Sequence, residues 1–280
     1  FSDVGTSVEE FLQLKGAAGL MPDFFSINGG GFGADLADRG LIADLSDTKA
    51  AKLTLSSVKP QFTSPKGKLF GIAGGVSSTL IYYNKDLFDE LGVAPAENWE
   101  DFLVLCEKIK QAGHTPLIIS PADGTISNTL WSAGFANNIR PGEPNYARKM
   151  LNGTLDLNTP EFADVYGKAK VLVDRGYTQK GTVSTGYLDR NSMYLKGKAA
   201  MHFAGTWLAG TLLKTKWRTE VFLAPWNAKG AKKVPIVATE TGWGVSEGPH
   251  KKEALLLLNW LNGPGYTMYQ NPRQNIPHLT

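Results

Sequence analysis

Apolar residues recur at helical spacing in three places along the chain, each bracketed by its own start and stop signals. Phe102, Leu105, Cys106 and Ile109 fall at i, i+3, i+4 and i+7 behind Asn98, a capping residue, and ahead of Gly113. The spacing predicts a helix over 98–113 with Cys106 on its buried stripe. Thr159-Pro160-Glu161 joins an N-cap, a proline at the first helical position and an acid near the positive dipole end. It predicts a second helix running to Gly176. A third opens at Pro249 and passes through Ala254 and Trp260 to Gly263. Short apolar runs with strand character lie between them, over 23–27, 69–73, 79–83, 116–120, 199–204, 221–224 and 234–237. Strands alternating with helices predict an α/β fold with a mainly parallel sheet. The chain has no internal repeat and no low-complexity linker, so a division into two lobes requires ordered crossings between them.

Length and charge narrow the function classes. A chain of 280 residues buries a sizeable core without staples. Its 29 basic and 26 acidic side chains leave a net +3, spread without blocks over a chain that is 20% charged. That balance argues against a nucleic-acid partner or a polybasic membrane surface. The single cysteine, Cys106, excludes an internal disulfide and a multi-thiolate metal site. Apolar runs such as 254–258 are too short to span a bilayer, and residues 1–10 carry no basic targeting region. Two enrichments remain: 31 glycines, and aromatic residues that include seven tryptophans. Indoles are large and carry a donor, so they either fill cores or line recognition surfaces.

Catalytic and cofactor motifs are weak. Asn28-Gly29-Gly30-Gly31-Phe32-Gly33-Ala34 follows a strand and contains a G-x-G-x-x-A match. A dinucleotide turn also needs a substantial helix and an acid about 20 residues on; here the helix stops at Gly40 and the acid's position falls in 49–53. The segment reads instead as a loop at the carboxyl end of a strand, where open α/β sheets bind ligands. Gly75-Val76-Ser77-Ser78 lacks the closing glycine of a nucleophile elbow, and the histidines 114, 202, 250 and 278 are too dispersed for metal ligation. His202, in an apolar strand, reads as a core or cleft-edge residue. Asp123 and Glu240 are carboxylates whose pairing is a matter of space, not sequence. Tyr82 and Tyr83, adjacent on a strand, point to opposite faces and read as packing residues.

The tryptophans separate by context. Trp99 and Trp260 lie in helices and are expected in cores; Trp217 and Trp226 flank the 221–224 strand with no case for a site. Trp131, Trp207 and Trp243 sit among small residues, in Thr129-Leu130-Trp131-Ser132, Gly205-Thr206-Trp207 and Gly242-Trp243-Gly244. Small neighbours leave an indole face uncovered. A bare ring among uncharged hydrogen-bonding groups suits a pyranose, which offers C–H faces for stacking and hydroxyls at its rim.

Several stretches together resemble the carbohydrate-binding branch of the extracellular solute-binding proteins that serve ABC importers, the group that includes maltodextrin-binding protein. Ala17-Ala18-Gly19-Leu20-Met21-Pro22-Asp23-Phe24-Phe25 resembles the family's turn, Pro-Asp and buried strand. Lys68-Leu69-Phe70-Gly71-Ile72, then Thr79-Leu80-Ile81-Tyr82-Tyr83-Asn84-Lys85-Asp86-Leu87-Phe88, resembles its first lobe-to-lobe crossing and the helix after it, and Asn98-Trp99-Glu100-Asp101-Phe102 continues the pattern. Lys196-Gly197-Lys198-Ala199-Ala200-Met201, running into Gly205-Thr206-Trp207, resembles the second lobe's strand and binding loop. Gly242-Trp243-Gly244-Val245-Ser246 resembles the return to the first lobe.

The resemblance implies an α/β, two-lobe periplasmic-binding-protein-like fold with hinge crossings and an interlobe cleft. It places a first lobe at 1–76 with 237–280 and a second at 79–231. It implies a protein that closes on a sugar without chemistry or cofactor and delivers it to the membrane permease subunits of an ABC importer. Such a protein is a monomer, exported as a periplasmic protein or cell-surface lipoprotein. Matched motif by motif, Trp207 is the first stacking platform and Trp243 the next. Asn28, Ser77 and Ser78 are hydroxyl partners from the first lobe and hinge, Asp123, Asn128 and Trp131 are second-lobe contacts, and Glu240 lies in the return segment. Against the family pattern, the chain opens near the end of the usual first helix, around Val8-Glu9-Glu10-Phe11-Leu12. It closes at Asn275-Ile276-Pro277-His278, the approach to a third crossing. A strand and further helices are therefore expected to be missing. The alternatives are a same-fold protein for a polyamine, peptide or metal, which would want charge at its site, and a carbohydrate-active enzyme with two facing carboxylates.

Overall fold

A computed structural model describes residues 8–120, 132–143, 146, 149, 153–239 and 241–270. Its strands are β1 (Phe24–Ile27), β2 (Ile72–Ala73), β3 (Val76–Asn84), β4 (Leu117–Ile118), β5 (Met201–Gly205), β6 (Thr219–Phe222), β7 (Ile236–Thr239) and β8 (Gly242–Val245). The chain divides into two units, Phe1–Ser77 with Val237–Thr280, and Ser78–Ile236. β3 carries the chain out of the first unit, and β7, which pairs with β3, carries it back.

In the first unit β8 lies between β1 and β2. Phe24 pairs with Val245, and Trp243 stands between Ser26 on one side and Ile72 on the other. Gly242 is required by this arrangement, because a Cβ there would come within 2.4 Å of the Ile72 carbonyl oxygen. Leu12, Leu36, Phe62, Phe70 and Leu258 are buried around the sheet. Leu12 comes from the helix Val8–Ala17, Leu36 from Gly31–Asp38 and Leu258 from Lys251–Leu261.

In the second unit the strand order is β4-β5-β3-β6. Trp226, Trp99, Phe102 and Phe203 are packed together at its centre. The helix Trp99–Gln111 forms as its periodicity requires. The Asn98 side chain accepts a hydrogen bond from the Asp101 N–H, and Phe102, Leu105, Cys106 and Ile109 are buried. Burial pushes the Cys106 thiol well above its ordinary range. Tyr82 and Tyr83 do face opposite ways: Tyr82 joins Tyr194 and Ile118, while Tyr83 packs on Phe88 and Phe222. Burial pushes Tyr82 up to about 12.

Other expectations need correction. Among the registered strand pairs only β4 with β5 is parallel; β1–β8, β2–β8, β3–β5 and β3–β6 are antiparallel. Parallel neighbours need a covering crossover, usually a helix, whereas β8 reaches β1 and β2 only after the chain has run through the whole second unit. Trp260, expected in a core, is 45% exposed. The buried row of its helix is Ala254 and Leu258, and Trp260 stands two residues, about 200°, further round. That helix starts at Lys251, beyond Pro249. Thr159 precedes the helix Pro160–Asp174 in an extended conformation, but its side chain makes no capping hydrogen bond.

Candidate functional site

Trp207 lies in the turn Thr206–Leu208 that continues β5, a strand buried along its whole length. The register sets Gly205 opposite Thr79, and the next residue of each strand is tied as well, the Ser78 N–H donating to the Thr206 hydroxyl at 3.1 Å. The Trp207 side chain is half-buried, and its indole Nε1–H donates to the Tyr187 hydroxyl at 3.0 Å. Tyr187 opens the helix Tyr187–Leu195, whose Arg190 is 1% exposed. The Arg190 guanidinium lies 4.7 Å from the Tyr187 ring centre and donates to the Phe203 carbonyl of β5 at 3.2 Å.

The segment ahead of Tyr187 is anchored to the end of β4. Gln179 is buried; its carbonyl oxygen accepts from the Ile119 N–H at 3.2 Å, and its amide donates to the Thr185 hydroxyl at 3.2 Å. Ser120 donates to the Thr185 carbonyl. His202, inside β5, is fully buried, and its Nε2–H donates to the Asn191 Oδ1 at 2.9 Å. Loss of water, followed by the Arg190 charge, lowers its pKa to about 3. The ring is therefore neutral and structural, the role its apolar context suggested.

A second group of candidates lies in the first unit. Asn28, exposed after β1, accepts from the Thr241 hydroxyl at 2.8 Å. The Thr239 hydroxyl donates to the Gln61 side chain, and the Gly30 N–H donates to the Gln61 carbonyl at 2.9 Å. Asn28, Gln61, Thr239 and Thr241 thus form one polar rim. Trp243 is half-buried, with one face stacked on Phe24 at 5.3 Å and 24°. Ser77 is 2% exposed and its hydroxyl points to the Ala238 carbonyl at 3.5 Å. Ser78 is half-buried. Asp123, Asn128, Trp131 and Glu240 lie outside the described residues. Among the described residues no three His, Cys, Asp or Glu side chains are grouped to hold a metal ion.

A sequence profile of the bacterial extracellular solute-binding proteins matches residues 2–268. The chain belongs to that family. Similar proteins include a binding protein of Brucella abortus, 28% identical over an alignment of 163 positions that covers 54% of this chain and 36% of that one. The multiple sugar-binding protein of Streptococcus mutans is 26% identical over 69% of this chain and 47% of its own length. The chain thus spans about half or less of the curated relatives it matches. Among solved structures, RafE in complex with raffinose superposes with a TM-score of 0.81 at 24% identity, over 99% of this chain and 73% of RafE. A chitin oligosaccharide binding protein gives 0.81 at 22% identity, over 97% and 70%. The fold is the α/β, two-lobe fold of these solute-binding proteins.

Sequence reasoning missed Tyr187, Arg190, Gln61, Thr239 and Thr241. Tyr187 follows Gly186 in a Gly/Ser/Thr-rich stretch, the same signal that singled out Trp207. Arg190 carries no local sign of burial.

Proposed function

We propose that this chain is the sugar-binding component of an ABC importer. It binds a mono- or oligosaccharide between its two units, which close on the ligand, and passes it unchanged to the membrane permease subunits. The observation that carries this reading is Trp207, a half-buried indole whose N–H is already bonded within the protein. What remains to it is a ring face, the surface that stacks on the C–H face of a pyranose. The relatives named for multiple sugars, raffinose and chitin oligosaccharides support the same class of ligand. Trp243, Asn28 and Ser78 are further contacts, with Ser77, Asp123, Asn128, Trp131 and Glu240 completing the candidate set. A ligand that binds the closed arrangement better shifts the population toward it by that difference in affinity. The protein acts as an exported monomer, periplasmic or anchored at the cell surface as a lipoprotein, and catalyses nothing.

Titration with raffinose, stachyose and chitin oligosaccharides, followed by tryptophan fluorescence, tests this reading. A saturable change is expected for at least one sugar. Trp207→Ala should weaken that binding by ~1–3 kcal/mol, the scale of a base stacked on an aromatic ring. Unchanged affinity removes Trp207 from the site, and silence of the folded protein across a broad glycan panel overturns the sugar assignment.

A further inference from the structure

The Trp207 ring lies against Gly205 in a particular way. A Cβ built on Gly205 would stand 2.0 Å from Cζ3, 2.2 Å from Cη2 and 2.3 Å from Cε3 of the indole. Three adjacent ring atoms at nearly equal distance place that point over the face of the six-membered ring, not beyond its edge. One face of Trp207 is thus seated on a backbone bare of side chain. The indole nitrogen is fixed independently by the Tyr187 hydroxyl at 3.0 Å, and Tyr187 rests on the buried Arg190, which bonds back to β5 through the Phe203 carbonyl. The seat and the pin come from different elements, β5 and the helix Tyr187–Leu195, and they meet on one side chain. Among the described residues no other aromatic ring stacks on Trp207, unlike Trp243, which is stacked on Phe24.

We infer that Gly205 and Tyr187 are positioning residues that hold Trp207 as a one-sided platform before any ligand arrives. The inference rests on the sugar-binding reading for its consequence but not for its geometry. A seated ring has one face to offer, and a pinned indole nitrogen has no hydrogen to give a hydroxyl. The subsite at Trp207 therefore selects a sugar ring by its apolar C–H face, while hydroxyl recognition falls to other groups. Holding the ring in advance also removes the rotamer entropy that a free tryptophan would lose on binding.

The test has two arms. In the ligand-free protein labelled with nitrogen-15, the Trp207 indole N–H resonance is assigned by its loss in Trp207→Phe. Tyr187→Phe keeps the ring over Arg190 and removes only the acceptor. It should shift that resonance and speed its hydrogen exchange by about tenfold, the factor corresponding to one net hydrogen bond. An unmoved resonance overturns the pin whether or not any sugar binds. In the second arm raffinose is the first probe, replaced by stachyose or chitin oligosaccharides if wild type ignores it. Tyr187→Phe should weaken binding about threefold to tenfold. Gly205→Ala should weaken it as much as Trp207→Ala does, with no further loss when the two are combined, because neighbours acting through one ring are not additive. Independent, additive losses, or a Tyr187→Phe protein that binds as wild type does, overturn the positioning role. Far-UV circular dichroism shows whether Gly205→Ala folds; if it does not, Tyr187→Phe alone decides. Wild type silent to every sugar, with the resonance shifted in Tyr187→Phe, refutes the function and leaves the platform standing.

Discussion

His202 illustrates what burial beside a cation does to a titratable group. Unfolded, its imidazole takes a proton near pH 6.5; folded, it resists until about pH 3. The folded state's advantage is complete above the upper value and shrinks as pH falls through that window, by up to about 1.4 kcal/mol per unit. His202→Gln removes this component. Its urea midpoint should drop less than the wild-type midpoint between neutral pH and about pH 4.5, and identical drops would refute the assignment. Cys106 is buried in the same unit, with its thiol held protonated. A thiol reagent should therefore label it at the rate of unfolding or local opening, rising with urea, and rapid labelling of native protein would show the helix packing to be wrong.

Single elements bring out a different property, the dependence of a helix on its first residue. The Asn98 side chain accepts from the Asp101 N–H at 3.0 Å and donates to the Asp101 carboxylate at 2.6 Å, while only 5% exposed. Asn98→Ala should cost about 1 kcal/mol, read as a lower urea midpoint with unchanged slope, and Asn98→Ser, a neutral cap, should recover part of it. This helix was legible in the sequence because cap, stripe and stop all lie within sixteen residues, 98–113. Strand direction was not legible. Phe24 meets Val245 and Tyr82 meets His202, and no local pattern records whether such distant segments run together or opposed. The site divides along the same line. Trp207 announced itself through small neighbours, and its seat, Gly205, was one of them. Arg190 looked like an ordinary helical arginine because its burial depends on β5, another element altogether. Trp260 misled for the reverse reason: Leu255, Leu256, Leu257 and Leu258 run consecutively, so its helix is apolar around much of its circumference and periodicity could not say which side the core would take.

At the scale of the molecule, the two units differ in how the chain supplies them. The second is one continuous stretch, Ser78–Ile236, and the residues of its central core cluster all fall inside it. Residues 78–236 alone should therefore fold, giving a cooperative urea transition and the Trp207 indole resonance of the full chain; a fragment without a cooperative transition would contradict this. The first unit is assembled from two stretches, and its middle strand, β8, comes from the later one. That has a consequence for the order of events during synthesis. β1 leaves the ribosome before the second unit does, yet its partner does not exist until that entire unit has been made, and their pairing closes a loop that runs from Phe24 to Val245. Closing a loop of that length is slow unless its contents are already compact. The second unit should therefore fold first and bring the ends of its own insertion together, leaving β1 unpaired, and open to water, until β8 arrives.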